Sequence, residues 1–159
     1  MTHKDLVEIA YKWVLKEAGC SIAFRDFVDV HQSEQFPDVV GVGSFGKSVA
    51  VKVDVSRHYY LQTISKEVWQ NPEKSMGRFR FLCVPTDLIK PEELPANWGL
   101  IYVSKDGRAN CVHNPYGSGT QDYWKNGFED YNLYTLLDQH ERLNNACRRF
   151  MYKAIIFDK

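Results

Sequence analysis

Two stretches of the chain concentrate residue types that do chemistry. The first is Ser48–Ser56, SVAVKVDVS. Val49, Val51, Val53 and Val55 alternate with Lys52 and Asp54, and successive strand side chains point to opposite faces. The spacing predicts a strand that buries four valines on one face and sets a base and an acid together on the other. The second is basic: Arg57, Lys66, Lys74, Arg78 and Arg80, opposed only by Glu67 and Glu73. Tyr59, Tyr60 and Trp69 interleave with it, and cations mixed with aromatics suit phosphate contact plus base stacking. Arg142, Arg148, Arg149 and Lys153 form a further basic set.

Other candidates carry less. Gly41-x-Gly43-x-x-Gly46 stands between two strands and opens no helix, so it does not read as a dinucleotide site. Glu8 is an acidic candidate on the first helix, but Lys4 and Lys12 stand at pairing distance along it. His113 and His140 have no ligand spacing, and His140 reads as a core histidine on an apolar stripe. Cys83 and Cys111 fall in strands with no positioned base to activate them. Cys20, Cys83, Cys111 and Cys147 lack the CxxC spacing of a zinc site.

These residues need elements to hold them. Thr2 with Asp5 predicts a capping box. Leu6, Ile9, Ala10, Trp13 and Val14 follow at helical spacing, and Gly19 ends the helix. Cys20–Phe24 and Phe27–His31 read as extended, Ser33–Phe36 as a loop, and Pro37–Val42 as a strand opened by proline. Tyr60–Gln70 has helical character. Arg78–Val84 reads as a strand. Leu100–Ser104 and Arg108–His113, joined by Lys105-Asp106-Gly107, read as a hairpin. A long helix is predicted over about residues 130–156. The expected fold is α/β: a central mixed sheet flanked by helices, in one domain over 1–159.

Lysine plus arginine number 20 and aspartate plus glutamate number 20 in 159 residues, so the formal charge is zero. That excludes a protein that coats polyanions through bulk charge and leaves only a local patch. Aromatics at 14% suggest a dense core or an aromatic binding surface. No apolar run approaches membrane-spanning length. Met1–Lys4 runs straight into an amphipathic pattern rather than a signal peptide. With unpaired cysteine spacing, this reads as a cytoplasmic protein with no membrane partner.

The order helix, strands, helix, strand, with Asp38 opening one strand, resembles the PD-(D/E)XK nuclease superfamily, in particular a small bacterial and phage branch linked to DNA repair. The resemblance covers about residues 1–117. It rests on Pro37-Asp38, Ser48–Arg57, Met76-Gly77, Arg80–Pro85, Leu94-Pro95 and Trp98–Tyr102. It implies a restriction-endonuclease-like core. It also implies a site in which an Asp and a Glu hold Mg²⁺ through oxygen, with a Lys two residues after the Glu helping to polarise water. Asp38 stands at the first metal position. The Glu and Lys positions read Lys52 and Asp54, so the charges are exchanged. Two residues along a strand are about 6–7 Å, whereas a Mg²⁺ ligand sits at about 2.0–2.1 Å.

The expectation is therefore a degenerate nuclease. Lys52 takes the metal's place and pairs with Asp38 and with Asp54. No cofactor is expected; Mg²⁺ at Asp38, with Asp54 and Lys52, enters only if cleavage survives. Contact with DNA or RNA falls to Arg57, Tyr59, Lys66, Arg78 and Arg80. The alternative is a phage or mobile-element protein that uses a dead nuclease fold to bind and inhibit a host nuclease defence complex, such as a CRISPR effector with its guide RNA. A plain interaction domain is the third reading.

Overall fold

In the computed structural model, residues 1–25, 37–44, 47–66, 77–117, 124–125, 127–128, 140–141 and 143–150 are described. The chain opens with helix α1 (His3–Lys16). Thr2 Oγ1 accepts the Asp5 N–H at 3.2 Å, and Asp5 Oδ2 accepts the Thr2 N–H at 2.7 Å. This reciprocal cap satisfies N–H groups that the first turn leaves without helical partners. Beyond the last turn, Gly19 at φ +68° bends the chain so that the Cys20 N–H reaches the Val14 carbonyl at 3.1 Å. The buried stripe is Leu6, Val7, Ala10, Trp13 and Val14; Ile9 packs partly buried beside it.

Six strands follow: β1 (Ile22–Arg25), β2 (Val39–Val42), β3 (Ser48–Val53), β4 (Phe79–Pro85), β5 (Gly99–Val103) and β6 (Ala109–His113). They form one sheet in sequence order. β1, β2 and β3 are antiparallel neighbours, β3, β4 and β5 run parallel, and β6 returns antiparallel to β5. Helix α2 (Arg57–Ile64) makes the β3–β4 crossover, and a short 3-10 turn, Pro91–Glu93, lies in the next one. The fold is thus α/β with a mixed sheet.

Both faces of the sheet are covered. On one, α1 packs against Val39, Val49, Val51, Val53, Phe81 and Cys83. On the other, Tyr60 of α2 packs with Leu82, Val84, Ile89, Trp98 and Leu100. β3 is central, so its second face is also buried, with Ser48 and Ala50 almost wholly enclosed. It ends at Val53 rather than Ser56. Part of the aromatic surplus goes into the first face, where Trp13, Phe79, Phe81, Tyr116 and Trp124 form a cluster with contacting ring centroids 5.0–6.4 Å apart.

Gly41 explains part of the glycine pattern. A Cβ there would stand 2.2 Å from Val14 Cγ1 and 2.8 Å from Cys20 Sγ. The absent side chain lets α1 lie against β2, which is a packing role and not a phosphate cradle. Gly41→Ala is expected to destabilise the fold by about 1–3 kcal/mol through overpacking, read as a lower midpoint in urea unfolding.

The helix predicted over 130–156 is helical at residues 140–141 and 143–150, and its remainder lies outside the described residues. His140 is exposed there, not a core histidine: helical spacing with apolar residues marks a face but not whether that face is covered. The predicted elements Phe27–His31 and Ser33–Phe36 lie outside the described residues, as do Lys74, Trp69, Arg142 and Lys153.

Candidate functional site

Asp38 and Lys52 come together through strand register. β2 and β3 pair Val39 with Val51, and the Asp38 N–H donates to the Val51 carbonyl at 2.9 Å. The pair of Val39 with Val51 is the last between β2 and β3, and Asp38, one residue beyond it, meets the Lys52 side chain. Lys52 Nζ donates to Asp38 Oδ2 at 3.0 Å, and the Val53 N–H donates to the same oxygen at 2.7 Å. The other oxygen, Oδ1, lies 3.2 Å from His3 Nε2, brought in by the first turn of α1. Both Asp38 oxygens are thereby engaged. The Asp38 and Lys52 side chains are only 15% and 21% exposed, so this pair is largely withdrawn from water.

The environment sets the protonation states. Burial pushes the Asp38 carboxyl up. The His3 hydrogen bond, the Lys52 charge and the Val53 N–H outweigh it and hold the carboxyl below its ordinary range. The hydrogen bond to Asp38 raises His3, against the burial that lowers it.

Asp54 follows the last residue of β3 and is 5% exposed. Its N–H still donates to the Cys83 carbonyl at 3.2 Å, which carries the strand's pairing one step beyond its end. Thr63 on α2 donates its hydroxyl to Asp54 Oδ1 at 3.3 Å, while Oδ2 is buried without a hydrogen-bond partner among the described residues. Burial pushes this carboxyl up to about 6, partly countered by Lys52 and Thr63. Among the described residues no ion pair joins Lys52 to Asp54; the lysine commits to Asp38. The pairing of Lys52 with both carboxylates is therefore corrected to a pairing with one. The cross-strand position holds the ammonium at Asp38, while Asp54 has turned to α2.

The candidate nucleic-acid residues are scattered in burial. Arg57, the first residue of α2, ion-pairs with Glu93 of the 3-10 turn. That pairing lowers Glu93 to about 2. Tyr59 is 55% exposed and meets the His58 ring edge-on at 5.9 Å between centroids. Lys66 is half-buried just past α2. Arg78 is half-buried with its guanidinium 5.5 Å from the Phe79 ring centroid. Arg80 departs from the expectation. It is 2% exposed, donates from Nε to the Gly77 carbonyl at 2.8 Å and lies 3.7 Å over the Phe128 ring. A guanidinium so enclosed reaches no phosphate at the surface. β4 is central with both faces covered, so alternation along it hides its polar residues too.

His3 and Thr63 are the residues that the sequence reading missed. No local pattern marks either one. His3 sits 35 positions from Asp38 and meets it only because α1 crosses the sheet. Glu8 is fixed elsewhere, at 2.9 Å from Arg25 Nε and 3.8 Å from Lys12 Nζ. Among the described residues no three acid, histidine or cysteine side chains form a group able to hold a metal. No described helix is long and apolar enough to cross a membrane.

No family model matches the chain. No curated protein matches it either. Among solved structures it is similar to a protein of unknown function from Silicibacter pomeroyi. The likeness has a TM-score of 0.62, covers 94% of this chain and 89% of the other, and runs at 19% sequence identity. At that identity the shared property is the fold.

Proposed function

We propose that this chain is a nucleic-acid-interacting protein on a nuclease fold of PD-(D/E)XK type, with an internal ammonium in place of the catalytic metal. One observation carries the reading: Lys52 Nζ lies 3.0 Å from Asp38 Oδ2, at the cross-strand position where that chemistry needs a second carboxylate. The order α1, β1–β3, α2, β4 supports it. So does the position of Asp38 and Asp54 beside the carboxyl end of β3, where open α/β sheets place their sites.

The charge arrangement says what such a site does. A fixed ammonium neutralises Asp38 and ties the start of β2 to the end of β3, but it has no exchangeable water to activate. A Mg²⁺ ion generates a nucleophile by lowering the pKa of a bound water; an ammonium only donates hydrogen bonds. The protein then binds without cutting. Calorimetric titration with Mg²⁺ and Mn²⁺ is expected to give no saturable heat. Saturable binding that disappears in Asp38→Ala would overturn the reading, because it would show Asp38 still serving as a metal ligand.

A further inference from the structure

The residues around the site constrain what kind of nucleic acid could be held there. Among the described residues, three arginines of the basic stretch beside β3 are already engaged. Arg57 is bound to Glu93, Arg80 is enclosed over Phe128, and Arg78 is half-buried against Phe79. Lys52 is bound to Asp38. A duplex is gripped mainly through phosphates, and each phosphate contact needs a cation that can leave its present partner.

The outer face of α2 offers something different. Ser56 caps the helix through the Tyr59 N–H at 3.3 Å. This fixes the first turn directly after Asp54, and Thr63 ties the same helix to that carboxylate. From that turn project Tyr59, 55% exposed, and the His58 ring. His58 is itself held by Gln62 at 3.1 Å between the amide nitrogen and Nε2. Two adjoining rings on a capped, rigid turn make a stacking surface, and stacking on an aromatic ring needs an unpaired base whose face is free. Duplex bases have no free face.

Resting on the proposed function, we infer that the α2 face carrying His58 and Tyr59 binds single-stranded nucleic acid by base stacking, with few phosphate contacts, rather than duplex. Each base stacked on an aromatic side chain contributes enough that alanine replacement costs about tenfold or more in affinity. One or two phosphate contacts give a shallow salt dependence, with log K falling against log salt at a slope of about −1.

The test uses the full chain with fluorescent single-stranded RNA and single-stranded DNA of about 16 nucleotides, and a duplex of the same sequence. Anisotropy is read at about 50 and about 200 mM salt. Tyr59→Ala is compared with Tyr59→Phe, and thermal melts confirm that both variants fold, as the exposure of the position leads one to expect. The expected result is binding of a single strand over duplex, the shallow slope, a loss of about tenfold in Tyr59→Ala and retention in Tyr59→Phe. Duplex bound as tightly, with a slope steeper than about −3 and no effect of Tyr59→Ala, would overturn this inference and leave the proposed function standing. No binding of any probe would overturn both.

Discussion

Replacing Lys52 by glutamate is expected to convert the site from one that holds its own cation to one that requires an added cation. Position 52 faces Asp38 across the β2–β3 pair, and Lys52 now bonds to Asp38 at 3.0 Å. In Lys52→Glu two carboxylates would face each other in a setting where the present side chains are only 15% and 21% exposed. Removing one partner of a buried ion pair costs about 3–5 kcal/mol because the remaining charge is uncompensated, and the added like charge acts in the same direction. Without metal the variant should be strongly destabilised.

A divalent ion offers the missing charge and oxygen-seeking geometry. Free ion at a hundredfold excess over its dissociation constant stabilises by about 2.7 kcal/mol. For a chain of this size that raises the melting temperature by about 5–10 °C. Thermal melts with and without Mn²⁺ read this directly. Lys52→Gln removes the cation without adding a carboxylate, so it should be destabilised yet indifferent to Mn²⁺. A Lys52→Glu protein as stable as the parent, or one whose melting ignores Mn²⁺, would show that position 52 does not occupy a metal's place.

The second large effect is in pH. Asp54 in the folded chain titrates near 6 against an ordinary 3.8, because burial disfavours its charge. The folded state therefore holds more protons than the unfolded state between those values, and stability falls as pH rises through this window. A shift of this size corresponds to about 2–3 kcal/mol. His3 acts in the same direction. Its raised pKa gives stability that is full below the ordinary 6.5 and is lost as pH rises through the raised value. Asp38 acts in the opposite direction and lower down. Its depressed pKa gives stability present above 3.8 and lost as pH falls through the folded value. Stability should therefore be greatest near pH 4–5 and decline toward pH 8.

Asp54→Asn isolates the first of these contributions. The amide oxygen can still accept from Thr63, and the charge is gone. The variant should lose most of the decline between pH 4 and 6. At pH 8 it should be more stable than the parent by about 1 kcal/mol, since the unpaired amide retains part of the burial cost. Urea unfolding at several pH values measures both. A parent whose stability is flat from pH 4 to 7, or an Asp54→Asn variant with an unchanged slope, would place Asp54 in a wetter setting than the structure gives it.

Much of the fold was legible from local rules. The capping box at Thr2 and Asp5 needs residues only three apart, so its chemistry is written in a tetrapeptide. The β5–β6 hairpin follows from alternation on either side of Lys105-Asp106-Gly107. The strand at β3 follows from alternating valines, three of which, Val49, Val51 and Val53, lie within it. Burial on the second face was less legible, since alternation says that two faces differ but not whether the polar one meets water. Arg80 and Asp54 sit on central strands, or just past them, and look like surface residues in sequence. Asp54 is buried beside Thr63 of α2, and Arg80 is buried against Gly77 and under the Phe128 ring, contacts that no local pattern announces.

By itself, the sequence determined that charge balances across the chain and that Lys52 and Asp54 alternate with the valines of Ser48–Ser56. Both are properties of residue identity, and folding cannot change them. Only the tertiary structure decided which carboxylate Lys52 holds. Register places Asp38 across from it, Thr63 draws Asp54 toward α2, and the crossing of α1 brings His3 to the remaining Asp38 oxygen. Each of those contacts joins residues separated by 9 to 35 positions, and the partner in each is chosen by strand register and helix packing, which no local spacing encodes.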